Sequence, residues 1–127
     1  MKVEVSTGEV LDKISILEIK LLNIKDKEKV KNIYNELYTL NPYFQDLLDE
    51  YGLDIKNLYT RISSINKKLW DIEDAIREKE AAKEFDEEFV ELARSVYITN
   101  DQRAAVKKEI NLLTKSELIE EKSYKDY

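Results

Sequence analysis

Between Ile55 and Ile76 an apolar side chain recurs at Ile55, Leu58, Ile62, Ile65, Leu69, Ile72 and Ile76, always three or four residues after the last. A strand would need apolar groups at every second position, so this stretch is confined to helix, and a ladder sustained this long is a coiled-coil seam. The preceding stretch carries a second ladder, Val30, Ile33, Leu37, Leu40, Phe44, Leu47 and Tyr51, separated from the first by Gly52, Leu53 and Asp54. Two ladders meeting at a short glycine turn predict an antiparallel helical hairpin, with Tyr51 beside Ile55 and Val30 beside Ile76.

The remaining composition suits helices with wet outer faces: the 127 residues include 2 Gly and 1 Pro, and 38% are charged. We expect an all-α bundle of four to five helices forming one domain over residues 1–127, with an extended tail from about residue 116. The absence of Cys and His removes disulfides, thiolate nucleophiles, Cys/His zinc sites and imidazole acid–base catalysis. No cofactor or metal is called for. A formal net charge of −6 argues against a nucleic-acid partner, because phosphate binders are basic overall or on one face. Met1–Val5 lacks the basic flank and apolar core of a signal peptide, and no apolar run approaches the ~20 residues that span a bilayer. The expectation is a cytoplasmic protein without a membrane partner.

Val3 and Val5 alternate with Lys2 and Glu4, which reads as a short N-terminal strand, and the extended-looking Glu117–Tyr124 is its candidate partner within the chain or between subunits. Ser6 followed by Glu9 forms a capping box that opens helix 1. Its apolar residues, Val10, Ile14, Leu17, Leu21 and Ile24 with Leu11, Ile16, Ile19 and Leu22, exceed one face. Such a helix sits centrally or at a subunit interface, and self-association into a homodimer through Leu17 is the expectation. Asp26 caps helix 2, Asn41 and Pro42 mark a kink or re-capped junction within it, and Asp54 caps helix 3, which runs to about Lys83. Asp86, flanked by Phe85 and Val90 as a hydrophobic staple, opens helix 4. The helix 4 ladder is Phe89, Leu92, Val96, Thr99, Arg103, Val106, Ile110 and Leu113. Its polar rungs at Thr99 and Arg103 leave two readings, a polar layer or a break at Thr99, where Thr99 to Gln102 matches a second capping box.

A second stripe on helix 3, Tyr59, Ser63, Asn66, Trp70, Glu73 and Arg77, mixes an indole, an amide and an ion pair, a surface suited to a partner helix or a polar ligand. The plainer account is an ordinary i,i+4 pair between Glu73 and Arg77 beside a tryptophan packed under another helix. The candidate ligand- or partner-binding residues are Asn66, Trp70, Glu73 and Arg77 of helix 3 and Arg94, Tyr97, Asn100, Asp101 and Arg103 of helix 4. Glu84, Asp86, Glu87, Glu88 and Glu91 supply half of the paired Glu-x-x-Glu and Glu-x-x-Asp arrangement that holds Mg²⁺ in all-α nucleotide pyrophosphatases, but the second half is missing, and acids are ordinary at a helix start. Arg94, Arg103, Lys107 and Lys108 with Glu18 and Glu73 match in composition alone the anion clamp of a helical-bundle isomerase such as chorismate mutase.

The stretches Ser6–Lys20, Leu69–Arg77, Phe89–Tyr97, Thr99–Ala105 and Ser116–Tyr124 together resemble a family of small bacterial and phage proteins described as domain of unknown function 6165. The resemblance covers nearly the whole chain. It implies a bacterial or phage cytoplasmic protein, and it brings no activity or catalytic residue with it.

Taken together, the residues favour a non-catalytic helical interaction protein, with a protein partner and a homodimer expected. The alternative is a bundle that binds or isomerises a small anionic, sugar-linked metabolite. Trp70 is expected outside the core, and Arg103 is expected to be a buried rung neutralised by Glu18 or Glu73.

Overall fold

The computed structural model describes all 127 residues. Four helices follow one another: α1 (Thr7–Asn23), α2 (Lys27–Tyr51), α3 (Leu53–Ala82) and α4 (Glu87–Leu113). The all-α class is as expected, but the N-terminal strand is not, since neither Met1–Val5 nor Glu117–Tyr124 enters a strand. With Val3 and Val5 exposed, the alternation of the first residues has no buried face to serve. No helix is long and apolar enough to cross a membrane.

The helix starts follow local chemistry. Ser6 accepts the Glu9 amide at 3.3 Å, Asp26 accepts that of Lys29 at 3.0 Å, and Asp86 accepts that of Phe89 at 3.0 Å. Each satisfies an amide that the first turn leaves without a partner. Asp54 does not cap α3. That helix starts two residues earlier, after Gly52 at φ 56°, with no side-chain cap, and Asp54 lies within its first turn. There its charge still favours the positive end of the helix dipole. The expected staple also differs, because Phe85 stacks edge-on with Phe89 at 5.2 Å while Val90 stays exposed.

Both α2 and α4 are continuous where local signals allowed a junction or a break. α2 runs through Pro42; the proline costs the Tyr38 carbonyl its amide partner, and this occurs on a stretch where Tyr38, Asn41 and Pro42 are all exposed, within reach of water. α4 likewise runs unbroken past Thr99, which is fully buried, with its hydroxyl the one buried side-chain polar atom lacking a hydrogen bond. The ladder's burial overrides the local capping signal.

Both seams turn inward as read, but they do not zip together. α3 takes α4 as its long antiparallel partner, α2 packs chiefly on α1, and α2 meets α3 only sparsely. One such meeting is Phe44 against Tyr59, with ring centroids 4.5 Å apart. The two ends of the α3–α4 register are marked by Arg61 with Glu109, a two-pronged pair at 3.1 and 2.8 Å, and by Lys79 with Glu88 at 3.1 Å.

α1 lies against the open end of this hairpin and touches all three other helices. Its Leu11, Ile14 and Leu17 are fully buried with Ile33 and Leu37 of α2, Ile55, Leu58 and Ile62 of α3, and Val106 and Ile110 of α4. Leu17, the residue through which self-association is expected, is therefore buried within the chain, while Leu22 of the same helix remains 75% exposed. Between residues 67 and 98, in contrast, Ile72 is the only buried side chain. The molecule thus has a four-helix base and a two-helix arm. At about 1.5 Å per residue, α3 extends for about 45 Å, well beyond the reach of the shorter α1.

α1 approaches α4 so closely that a Cβ built on Gly8 would stand 2.7 Å from the Lys107 carbonyl oxygen and 3.0 Å from Asn111 Oδ1. The first of these atoms is backbone and cannot swing away. Gly8→Ala should accordingly cost about 1–3 kcal/mol, the usual penalty of overpacking, read as a lower urea midpoint with an unchanged slope.

Candidate functional site

The close approach at Gly8 brings together two stripes of polar residues. On α4, Thr99, Arg103, Lys107 and Asn111 follow at intervals of four; on α1, Gly8, Asp12 and Ser15 follow at four and three. All these side chains except Arg103 are buried, and Arg103 is half-buried. An unpaired polar group is costly in such a place, and all of them but the Thr99 hydroxyl find partners, which define the site.

The pairs form a zipper. Gly8 donates its backbone amide to Asn111 Oδ1 at 2.7 Å, and Lys107 meets the Glu9 carboxylate. Arg103 grips Asp12 with both prongs, Nε to Oδ1 at 2.8 Å and Nη2 to Oδ2 at 2.5 Å. From α3, Asn66 donates to Asp12 Oδ1 at 2.9 Å and to Ser15 Oγ at 2.7 Å. Ser15 donates its hydroxyl hydrogen bond to the Asp12 backbone carbonyl at 2.7 Å. Asn66 thereby commits its amide protons within the zipper and keeps its carbonyl oxygen free of any hydrogen bond.

The electrostatics follow from this geometry. The Asp12 carboxylate, hydrogen-bonded to Arg103, holds the guanidinium more firmly protonated than usual, against the opposing effect of burial. Burial works against the Lys107 charge, but the Glu9 and Glu120 carboxylates outweigh it and raise the pKa of the amine. Glu120, in the tail, feels the reciprocal effect: Lys107, 3.1 Å away, pulls its carboxyl from 4.5 to about 2.

Arg103 is a ladder rung paired with a carboxylate of another helix, as the sequence suggests, but the partner is Asp12 and neither Glu18 nor Glu73. Glu18 instead accepts the Tyr59 hydroxyl at 2.5 Å, and burial together with this carboxylate pushes the phenol up. Glu73 pairs along its own helix with Arg77 at 3.2 Å. Asp12, Ser15 and Asn111 are absent from the sequence-based set of site residues. A usable signal existed in the spacing of Asp12 and Ser15 among the apolar residues of α1, opposite an equally regular polar line on α4.

The nine candidate residues separate into three groups. Asn66, Trp70, Glu73, Arg77 and Arg103 line one open groove of about 370 Å³, together with Ile16, Leu69 and Asp74. Trp70 is half-buried there, at the junction of base and arm. Tyr97, Asn100 and Asp101 line a different cleft, of about 440 Å³, between α4 and the C-terminal segment. Arg94 belongs to neither and pairs with Glu91 at 2.8 Å. The acidic run does not converge on a cation site, since no group of three or more acids is placed to hold a metal ion. Glu84, Asp86 and Glu88 instead close on the Lys79 ammonium, at 3.2, 3.0 and 3.1 Å.

The model of a family of unknown function, DUF6165, matches residues 1–127, and the chain belongs to that family. No curated protein and no solved structure matches it.

Two outcomes are expected from the zipper. Arg103→Met strands the buried Asp12 carboxylate and should cost about 3 kcal/mol or more in chemical denaturation, whereas combining it with Asp12→Leu should recover much of that loss. Glu120 has its pKa lowered on folding, so its contribution is complete above pH 4.5 and is lost as the pH falls toward about 2. Nuclear magnetic resonance signals of residues 117–127 should move toward random-coil positions across that window.

Proposed function

We propose that this member of the family is a non-catalytic docking protein, which receives a segment of a partner protein in the groove beside Trp70. The observation that carries this reading is the fate of the cations. The four basic side chains that the sequence offers as an anion clamp are already met by carboxylates of the chain: Arg94 by Glu91, Arg103 by Asp12, Lys107 by Glu9 and Glu120, and Lys108 by Glu121. Binding a dicarboxylate there would require breaking those pairs first, with the stranded acids opposing it.

The groove offers something different. It is open rather than enclosed, and it presents the half-buried indole of Trp70 beside Ile16 and Leu69, rimmed by the Glu73–Arg77 pair. An apolar centre with an aromatic anchor and a polar rim is the composition of a protein-binding patch. Its walls come from α1, α3 and α4, which the zipper holds together, so little ordering is left for the moment of binding. The proposed setting is the cytoplasm of a bacterial or phage-infected cell, on the strength of the family resemblance.

Trp70→Ala removes the anchor while taking away only a half-buried side chain. It should lower stability by less than the ~3–5 kcal/mol typical of a fully buried aromatic and should abolish capture of the partner from a lysate of the source cell. Arg77→Glu should weaken capture with little change in melting temperature. Equal capture by wild type and Trp70→Ala would overturn the assignment. So would a rise in melting temperature with a small dicarboxylate or sugar phosphate that Arg103→Met eliminates, since that behaviour belongs to a metabolite site.

A further inference from the structure

The Trp70 groove holds a hydrogen-bond acceptor that the chain leaves unused. Asn66 lines the groove and is only 5% exposed, and chemistry fixes which way its amide points. Its Nδ2 donates to Asp12 Oδ1 at 2.9 Å and to Ser15 Oγ at 2.7 Å. A carboxylate oxygen only accepts, and the Ser15 hydroxyl spends its own hydrogen on the Asp12 backbone carbonyl. The end of Asn66 that faces them therefore has to be the NH₂ group. Asn66 Oδ1 is turned away from the zipper and meets no donor of the chain. It is not sealed either, because Thr99 Oγ1 is the one buried side-chain polar atom without a partner. The groove is the opening that Asn66 lines.

Arg103 adds a free donor in the same corner. Its Nε and Nη2 are taken by Asp12 at 2.8 and 2.5 Å, while Nη1 bonds to no group of the chain and the side chain stays 29% exposed. Asn66 Nδ2 and Arg103 Nε both donate to one atom, Asp12 Oδ1, and that shared anchor keeps the free oxygen of one residue close to the free nitrogen of the other. An occupant that covers the Trp70 indole drives water from this corner. It then has to bring a donor for Asn66 Oδ1 and an acceptor for Arg103 Nη1, since a buried group left unpaired costs more than a made hydrogen bond gains.

Charge narrows the choice. The groove and the pair beneath it carry the carboxylates of Asp12, Glu73 and Asp74 against the guanidiniums of Arg77 and Arg103. An incoming carboxylate would answer Arg103 but set its oxygens against Asn66 Oδ1 in a site already rich in acids. An ammonium would answer Asn66 but approach a guanidinium. What fits is a neutral group that donates and accepts at once. One trans peptide group points its N–H and C=O in opposite directions, whereas a primary carboxamide presents both along one edge. The recessed position of Asn66 calls for a stem long enough to pass the indole, which favours glutamine over asparagine.

We infer that the segment received in the groove carries a glutamine, whose carboxamide donates to Asn66 Oδ1 and accepts from Arg103 Nη1, next to an apolar side chain laid on Trp70. The inference rests on the docking reading of this groove and names what that site selects: a few fixed polar groups in a largely apolar groove decide orientation and specificity.

Trp70 is the only tryptophan of the chain, so its fluorescence reports occupancy of the groove. Random peptides displayed on phage are panned against the wild-type protein, and those that fail to bind Trp70→Ala are kept as groove ligands. These should share a glutamine beside an apolar residue. Each is then synthesised with glutamine, glutamate or methionine at that position and titrated against the wild-type protein. Glutamate keeps the shape but loses the donor, and methionine keeps the length but loses both polar groups. Either change should weaken binding at least about tenfold, the scale of a lost hydrogen bond to a charged or buried group. The side-chain ¹⁵N resonances of Asn66 and Arg103 should move with the glutamine peptide and stay in place with the methionine one. Equal affinity for the three versions, groove ligands without glutamine, or unmoved Asn66 and Arg103 resonances would overturn the inference and leave docking beside Trp70 standing. A panning that yields no Trp70-dependent peptide would overturn the docking reading and this inference with it.

Discussion

The architecture depends on the pairing of Asp12 with Arg103. The Asp12 side chain is 4% exposed and the Arg103 side chain 29%, so one charge is held almost fully out of water by a partner that keeps one edge wet. Coulomb attraction in such a place is strong, but desolvation takes back most of it, and the pair's net contribution to stability is modest. Its larger effect is on alternatives. Any arrangement of α1 that slides or rotates it relative to α4 leaves a buried carboxylate without its guanidinium, and Asn66 without an acceptor. Apolar ridges alone would tolerate such slips, because Leu11, Ile14 and Leu17 are interchangeable in kind. The polar zipper supplies the register that the apolar seam lacks, and the bare Cα of Gly8 lets the backbones come near enough to form it.

What could be read from the sequence divides along the same line. The periodicity of three and four located the four helices and the apolar inward-facing rungs of α2, α3 and α4, and capping residues located three of the four helix starts, because burial and capping act on each position separately. It did not identify which seam meets which. Val30 to Tyr51 and Ile55 to Ile76 are both apolar ladders, and nothing in an apolar ladder distinguishes α1 or α4 as a partner from the neighbour across the turn. The polar groups hold that information. A pairing of Asp12 with Arg103, rather than with a nearer lysine, is a three-dimensional fact that depends on α1 crossing the open end of the α3–α4 hairpin.

Local signals failed where burial opposed them and succeeded where it did not. Thr99 to Gln102 resembles a helix start, yet Thr99 is fully buried and the helix continues through it. Pro42 ought to interrupt α2, but it stands on an exposed stretch where water can serve the orphaned carbonyl. The alternation in Met1–Val5 had no tertiary face to reward it and formed no strand. Of the candidate site residues, five came together because Asn66, Trp70, Glu73 and Arg77 share one face of α3, which is a one-dimensional property, and Arg103 points across at that face. Tyr97, Asn100 and Asp101 lie elsewhere on α4, under a tail whose course no periodicity announces.

The position of the Trp70 groove bears on what docking would do. Below it, the base has three or four helices around each buried side chain; above it, the arm has two, with Ile72 its only buried side chain. Two-layer segments of this kind open at lower free energy than the core they extend from. A partner segment lying across Ile16, Trp70 and Arg77 adds a third layer where α1 stops, and so extends the base into the arm. Under the docking reading, binding and arm order are therefore one equilibrium. The affinity of the groove includes the free energy of ordering the first turns of the arm beyond it, and by linkage any change that loosens the arm at Ile72 weakens a partner that never touches Ile72.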